Sequence, residues 1–290
     1  MEVSVILPSQ NGAGTIGAQL EALARQEWSG DWEVVFVDNC STDDTAAIVE
    51  SYRDRLPGLR LVTARDETGI SYALNRGIEQ ARGSSIVVCN DDDEVAPGWL
   101  AAMAEALRRH DAVAGRLEHS HYNERWAVAV RGRPQTVGLA EWGFVPHLPF
   151  AFGATIGVRK DVHQAIGGFD EEIRPAAEDM DYSWRLQYAG KEIHFVPDAV
   201  THYRMRNDLG GLWRQAYNYG IGNVLVYKKH RGLGLAPAAH PWRRGVRAWL
   251  GLGKRALLAW NRTRFALLVW HLGLRTGMLK ASIEQRVVFP

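Results

Sequence analysis

The sequence predicts an α/β protein: a mostly parallel sheet flanked by helices, followed by a helical C-terminal extension. Three observations carry this. From Val3 to Cys89, short apolar runs alternate with stretches of helical periodicity, joined by the short loops usual in α/β units. Two of the apolar runs end in carboxylates, Asp38 and the triplet Asp91-Asp92-Asp93. From His240 to Pro290 there is a single acidic residue, Glu284, among many Lys and Arg, with Trp242, Trp249, Trp260 and Trp270 interleaved.

Taken in order, 3–7 reads as a strand and 13–26 as a helix, with Ile16, Leu20 and Leu23 on one face. Residues 32–37 form a second strand. A helix follows over 42–52, with Ser41 or Thr42 as N-cap and Asp43 and Asp44 in the first turn, where the helix dipole favours anions. A strand over 59–63, a helix over 71–81 and a strand over 84–89 complete the alternation, and Pro97 opens a helix that reaches Arg109. Successive right-handed crossovers set the C-terminal ends of these strands along one edge, where open α/β sheets bind ligands. Beyond this the pattern is less regular. Residues 111–118 and 126–130 read as strands, and 150–158 is apolar and contains glycine. Residues 161–166 and 178–189 read as helices ended by glycines, and 193–196 and 199–202 as short strands around Pro197. Residues 211–229 read as a helix, and 243–286 as helix broken by glycines.

Composition narrows the function classes. With 46% hydrophobic residues the chain can bury a substantial core, and a net charge of +1 gives no reason to expect a nucleic-acid partner. The two cysteines, Cys40 and Cys89, exclude a disulfide framework and any cysteine-based metal site, and free thiols suit the cytoplasm. The N-terminus enters a strand directly, with no signal-peptide pattern, and no apolar run approaches the ~20 residues needed to span a bilayer.

The densest chemistry lies at Asn90-Asp91-Asp92-Asp93. Adjacent carboxylates repel, and a hard divalent cation relieves the repulsion by taking oxygen ligands, although the same run would also suit a solvated acidic turn. Two further groups of residues accompany it. One is Pro8-Ser9-Gln10-Asn11 with Asp38-Asn39. The other is Gly167-Gly168-Phe169-Asp170 with Glu178-Asp179-Met180-Asp181 and Trp184-Arg185. In order and spacing these resemble the family 2 glycosyltransferases over about residues 1–225. The resemblance implies a GT-A fold and inverting sugar transfer, with a catalytic domain over 1–229 and the basic, Trp-rich segment 230–290 as an extension. Within the domain, about 1–110 would be the nucleotide-binding half and 111–229 the acceptor-side half.

The resemblance also distributes roles. Pro8, Ser9 and Asn11 match the base-and-ribose loop, and Asp38, with Asn39, matches the carboxylate that accepts from a uracil N–H. The family's Asp-X-Asp falls on Asn90-Asp91-Asp92, which makes Asp92 the metal ligand, supported by Asp91 or Asp93, with His202 completing a Mn²⁺ or Mg²⁺ site. Asn75 and Gly77 match a diphosphate-side helix, but Leu74 stands where that helix usually has Arg. Asp179 matches the base that takes the acceptor hydroxyl's proton, with Glu178 orienting the acceptor. Asp181 and Arg185, four apart on one helix, read as an ion pair. Trp184 reads as core, and His119 and His121 as ordinary residues on one face of a strand.

The activity implied is metal-dependent transfer of a sugar from a nucleotide sugar, UDP-linked, to a hydroxyl of a lipid-linked or cell-envelope glycan. The basic tail suits the inner face of a membrane, or a helical cap on the catalytic domain. Two alternatives remain: a sugar-1-phosphate nucleotidyltransferase, and a non-catalytic nucleotide-sugar-binding protein. The first would want a basic residue in Asn11-Gly12-Ala13-Gly14, which has none.

Overall fold

In the computed structural model, which describes residues 1–56, 58–145, 147–236 and 240–289, the chain opens with strand β1 (Val3–Ser9) and helix α1 (Ile16–Ala24). These are followed by β2 (Trp32–Asp38), α2 (Thr45–Glu50), β3 (Arg60–Thr63), α3 (Ile70–Gln80) and β4 (Ser85–Val88). The register pairs Ser9 with Asp38 and Ile6 with Val88, so three parallel strands end together. These strands are buried on both faces. Val3, Val5, Leu7, Val34 and Phe36 pack toward α1 on one side, and Ile6, Val35 and Val37 toward α3 on the other.

Beyond β4 come β5 (Glu94–Val95), α4 (Trp99–Leu107), β6 (Ala112–Glu118), α5 (Arg125–Arg131), β7 (Ile156–Arg159), α6 (Lys160–Ala165), α7 (Glu178–Tyr188) and β8 (Ile193–His202). The strand order is β3-β2-β1-β4-β7-β6-β8-β5. β7 runs antiparallel to both of its neighbours and β5 antiparallel to β8, so the sheet is mixed, with parallel pairs among β1 to β4 and between β6 and β8.

Several local expectations are corrected. Residues 126–130 are helical, because Trp126, Ala127 and Val130 form one helical face packed on Leu117, Leu212 and Ala266; so short an apolar run does not reveal its period. The second helix begins at Thr45 without a side-chain cap. Ser41 and Thr42 bond Asn11 instead, and Asp43 receives Ala13 N–H at 3.1 Å. Residues 193–202 form one strand, whose residues 197–199 bulge out of register opposite Gly115 and Arg116 and so accommodate Pro197. The apolar stretch 150–158 holds a turn of 3₁₀ helix at Gly153–Thr155 and then β7 from Ile156. β6 stops at Glu118 because Ser120 and His121 N–H turn back onto its carboxylate at 2.6 and 2.9 Å, so His119 and His121 lie past the strand. His119 bonds the Pro134 carbonyl, and His121 stacks on His202.

The C-terminal part comprises α8 (Leu209–His230), α9 (Pro241–Leu257) and α10 (Arg262–Gln285). The break between the last two falls at 258–261, capped by Asn261, and the glycines lie inside the helices. Long α10 lies against α8 at backbone contact: a Cβ on Gly277 would sit 2.1 Å from the Tyr217 carbonyl oxygen. Met278 and Ala281 of α10 share a core with Trp142, Phe150, Met180 and Trp184. Part of the segment after 229 therefore continues the core of the preceding chain, whereas α9 is almost wholly exposed.

Candidate functional site

Ser9, Asp38 and the Asp91 triplet meet where β1, β2 and β4 end. Asp38 is buried; its Oδ1 accepts from Ser41 N–H (3.0 Å) and its Oδ2 lies 3.4 Å from the exposed Arg65 guanidinium. Ser9 donates its hydroxyl to Asp91 Oδ2. Gly12 is required beside them, since a Cβ there would fall 2.3 Å from Asp91 Oδ2. Burial and the neighbouring Asp92 push Asp91 up to about 6, against the Ser9 hydrogen bond.

Other expected site residues have different tasks. Pro8 is buried within β1. Asn11 is a strut whose Oδ1 accepts Thr42 N–H at 2.8 Å. Asn39 is also committed: its amide donates to the Ala64 and Glu67 carbonyls, and its Oδ1 accepts Gly69 N–H. Asn75 ties α3 to the glycine turn before α7, accepting Phe169 N–H and donating to the Phe169 carbonyl and Glu171. Asp93 is fully buried, takes Arg204 N–H (2.7 Å) and the Asn90 amide (3.1 Å), and is held well above the usual carboxylate range by burial and by Asp92. His202 faces Glu118 at 3.2 Å and stacks on His121. Burial works to raise Glu118, but hydrogen bonds from Ser120, His121 and His202 together outweigh it and bring it down to about 2.

Asp92, Asp93 and His202 are thus not gathered into a ligand set, and among the described residues no group of three or more His, Cys, Asp or Glu is arranged to hold a metal. Asp92 remains half-exposed, with Oδ2 2.9 Å from Arg206, and Asp91 lies beside it. This donor set fits an ion carried by one or two carboxylates and completed by a ligand's own phosphates and water, as is usual for Mg²⁺.

The second half of the site comes from α7. Glu178 and Asp179 line a cavity of about 400 Å³ together with Asn90 from the acidic strand end and Tyr219 of α8. Asp179 is held in place by two backbone donors, Gly153 N–H to Oδ2 (3.1 Å) and Met180 N–H to Oδ1 (2.8 Å). Glu178 takes no hydrogen bond from a side chain among the described residues. Burial raises both carboxyls: at Glu178 the Asp179 charge adds to it, and at Asp179 the two N–H groups oppose it. Behind them, fully buried Asp181 binds Arg185 (2.8 Å), Lys229 (2.6 Å) and His230 (2.9 Å). Trp184 is fully buried.

Arg65, Arg204 and Arg206 also border the site and were not singled out from sequence. Alternating basic residues just beyond the His202 strand were an available signal for the last two. The Arg65–Asp38 contact had none, because nothing local links the two segments.

Comparisons with known proteins bear on this arrangement. The family model described as Glycosyl transferase family 2 matches residues 4–167, and that described as Glycosyl transferase family group 2 matches 86–280. The putative glycosyltransferase EpsE of Bacillus subtilis is 27% identical over 241 residues, covering 81% of this chain and 84% of EpsE. The mannosyltransferase PcManGT of Pyrobaculum calidifontis, in complex with GDP-Man and Mn²⁺, superposes with a TM-score of 0.69 at 21% identity, over 98% of this chain and 88% of that one. S. aureus TarS 1–349, in complex with UDP-GlcNAc, does so with 0.56 at 18% identity, over 99% and 93%.

Proposed function

The chain belongs to glycosyl transferase family 2 and is a glycosyltransferase with a GT-A-like fold, and from that premise we propose that it moves a sugar from a UDP-linked donor to an acceptor hydroxyl with inversion, aided by a divalent cation. One observation carries the reading: Asn90, at the acidic end of β4, lines the same cavity as Glu178 and Asp179. This supports a reading in which the acidic strand end takes the metal and diphosphate and the α7 carboxylates take the acceptor around one space. The acceptor oxygen bonds the anomeric carbon as that carbon's bond to the diphosphate oxygen breaks. The hydroxyl proton goes to Asp179, and Glu178 orients the hydroxyl. Asp38 and Ser9 would border the nucleoside. Asp92, with Asp91, would hold Mn²⁺ or Mg²⁺, which supplies charge neutralisation for the departing diphosphate.

The test is a melting-temperature panel of UDP, GDP and their sugars with Mn²⁺ or with EDTA, since a ligand of the folded state raises the transition. UDP with Mn²⁺ is expected to raise it by a few degrees. Asp92→Ala should abolish the metal-dependent part, while its half-exposed position keeps the fold. Equal UDP binding by this variant in Mn²⁺ and EDTA would remove Asp92 from the metal site, and a response to GDP alone would replace the donor.

We place the acceptor among lipid-linked or cell-envelope glycans and the protein at the inner membrane face. The support is α9, which exposes Val246, Trp249 and Leu250 beside Arg243, Arg244 and Arg247, the composition of an interfacial helix. No helix among the described residues is long and apolar enough to cross a membrane. The protein is expected to sediment with anionic vesicles at low salt and to be released at high salt, and a Trp249→Ser/Leu250→Ser variant to stay in the supernatant. Wild-type protein remaining in solution at low salt would make α9 a cap only.

A further inference from the structure

The cavity at Glu178 and Asp179 is chemically one-sided. Its far wall is built from Trp142, Phe144, Phe150, Phe152, Trp270 and Leu274, drawn from the 140–152 segment and from α10. Polar groups of Trp142, Asn223 and Tyr219 on this wall are already engaged. Trp142 Nε1 donates to Asn223 Oδ1 at 2.6 Å, the Asn223 amide donates to the Tyr219 carbonyl at 2.7 Å, and the Tyr219 hydroxyl faces Arg131 at 3.4 Å. A sugar ring lodged there would leave its hydroxyls without partners, a cost an apolar group avoids. Phe144 also has a second neighbourhood. Its ring meets Phe289 at 5.2 Å, and Arg275 lies over it at 5.9 Å. Both of those residues line an apolar groove of about 320 Å³ between α9 and α10, bordered by Trp242 and Trp249. The cavity at the two carboxylates and the groove beside α9 therefore lie on either side of the Phe144–Phe289 ring contact.

We propose that this cavity binds the apolar portion of the acceptor, so that the acceptor is an amphiphile whose reacting hydroxyl lies within one headgroup of a hydrocarbon or aryl chain. The inference rests on the glycosyltransferase reading for the hydroxyl, and on the cavity alone for the chain. Polar Glu178, Asp179 and Asn90 hold the headgroup end. The aromatic wall takes the first part of the chain, and the groove beyond Phe144 carries it toward the surface that α9 presents. Arg275, between cavity and groove, suits an anionic linkage in such a chain.

The experiment compares octyl and methyl β-glucoside, the former below its micelle concentration, first for binding by calorimetry and then as acceptors with the donor found above. The octyl compound is expected to bind at least about tenfold more tightly and to show a correspondingly lower KM, the effect of burying two or so methylene groups. Phe144→Ser/Leu274→Ser should bring the two compounds within about twofold of each other by weakening the octyl compound alone. Leu274→Phe fills the space instead of emptying it and should give the same loss, which keeps the test decisive if the first variant fails to fold. Equal binding of the two compounds by wild type, or an octyl preference that survives both variants, overturns the proposal. Octyl binding with no sugar transfer from any donor would instead count against the proposed placing of the acceptor hydroxyl at Asp179 and leave the apolar site standing.

Discussion

Asp179→Asn is expected to lower turnover by ~10²–10⁴-fold, the usual loss on removing a general base, while nucleotide binding is kept. The asymmetry follows from placement: Asp179 lies in the cavity floored by α7, whereas Asp38, Ser9 and Asp92 lie at the strand ends. The amide can still accept one of the two N–H groups that hold the carboxylate, so the stability loss should stay near ~1 kcal/mol. The pH profile is a second readout. A base must be ionised, and burial raises the folded-state pKa of Asp179, so activity should climb with pH along a limb above the ordinary carboxylate range. Glu178→Gln should leave that limb in place, because burial, not the Glu178 charge, raises Asp179. The sign for stability is opposite: a raised carboxyl favours the fold at pH values below its unfolded pKa, and that contribution is lost as pH rises through the folded value. Near-normal turnover in the Asp179→Asn variant would shift the role of base to Glu178.

Asp181→Ala should cost about 3–5 kcal/mol of stability, the range for breaking a buried ion pair from one side. The carboxylate is fully buried and joins Arg185 on its own helix to Lys229 and His230 at the end of α8. Its removal leaves cations gathered around a vacated site. Burial works to raise Asp181, but His230, Arg185 and Lys229 outweigh it and hold it well below the usual range. A depressed carboxyl contributes stability above its unfolded pKa of about 3.9 and loses it as pH falls through the folded value, so the wild type should lose stability as the pH drops below about 4 and the variant should lack that component. Urea unfolding of both proteins at pH 7 and pH 3 checks this. A loss under about 1 kcal/mol at pH 7 would mean that the cluster is too well hydrated to act as a buried one.

How much of this was legible in the sequence depends on the range of the interactions. The run from β1 to β4 could be read because strands buried on both faces are continuously apolar, while the intervening helices repeat Ile16-Leu20-Leu23 spacing; both signals lie within a few residues. The Asp181–Arg185 pair was legible for the same reason, being one helical turn apart. The stretch 126–130 was not, since five residues do not distinguish a helix from a strand until Leu117 and Leu212 are known to cover one face of it.

The site divides along the same line. The sequence by itself determined which acidic residues end strands and which open α7, because strand ends and helix starts follow from local pattern and from the single hand of the crossovers. The tertiary structure alone decided what each side chain does. Asn39 and Asn75 look like ligands in the sequence and are struts in the fold, since their hydrogen-bond partners lie in distant segments. Asp93 is turned inward by Arg204, and His202 is drawn to Glu118. The basic tail could not be divided by composition into surface and core. The close approach of Gly277 to the Tyr217 carbonyl and the burial of Met278 and Ala281 show that α10 belongs to the core, leaving α9 exposed. Hydrogen bonding and close packing are settled by which surfaces meet, and residues far apart in the chain meet only once the sheet has formed.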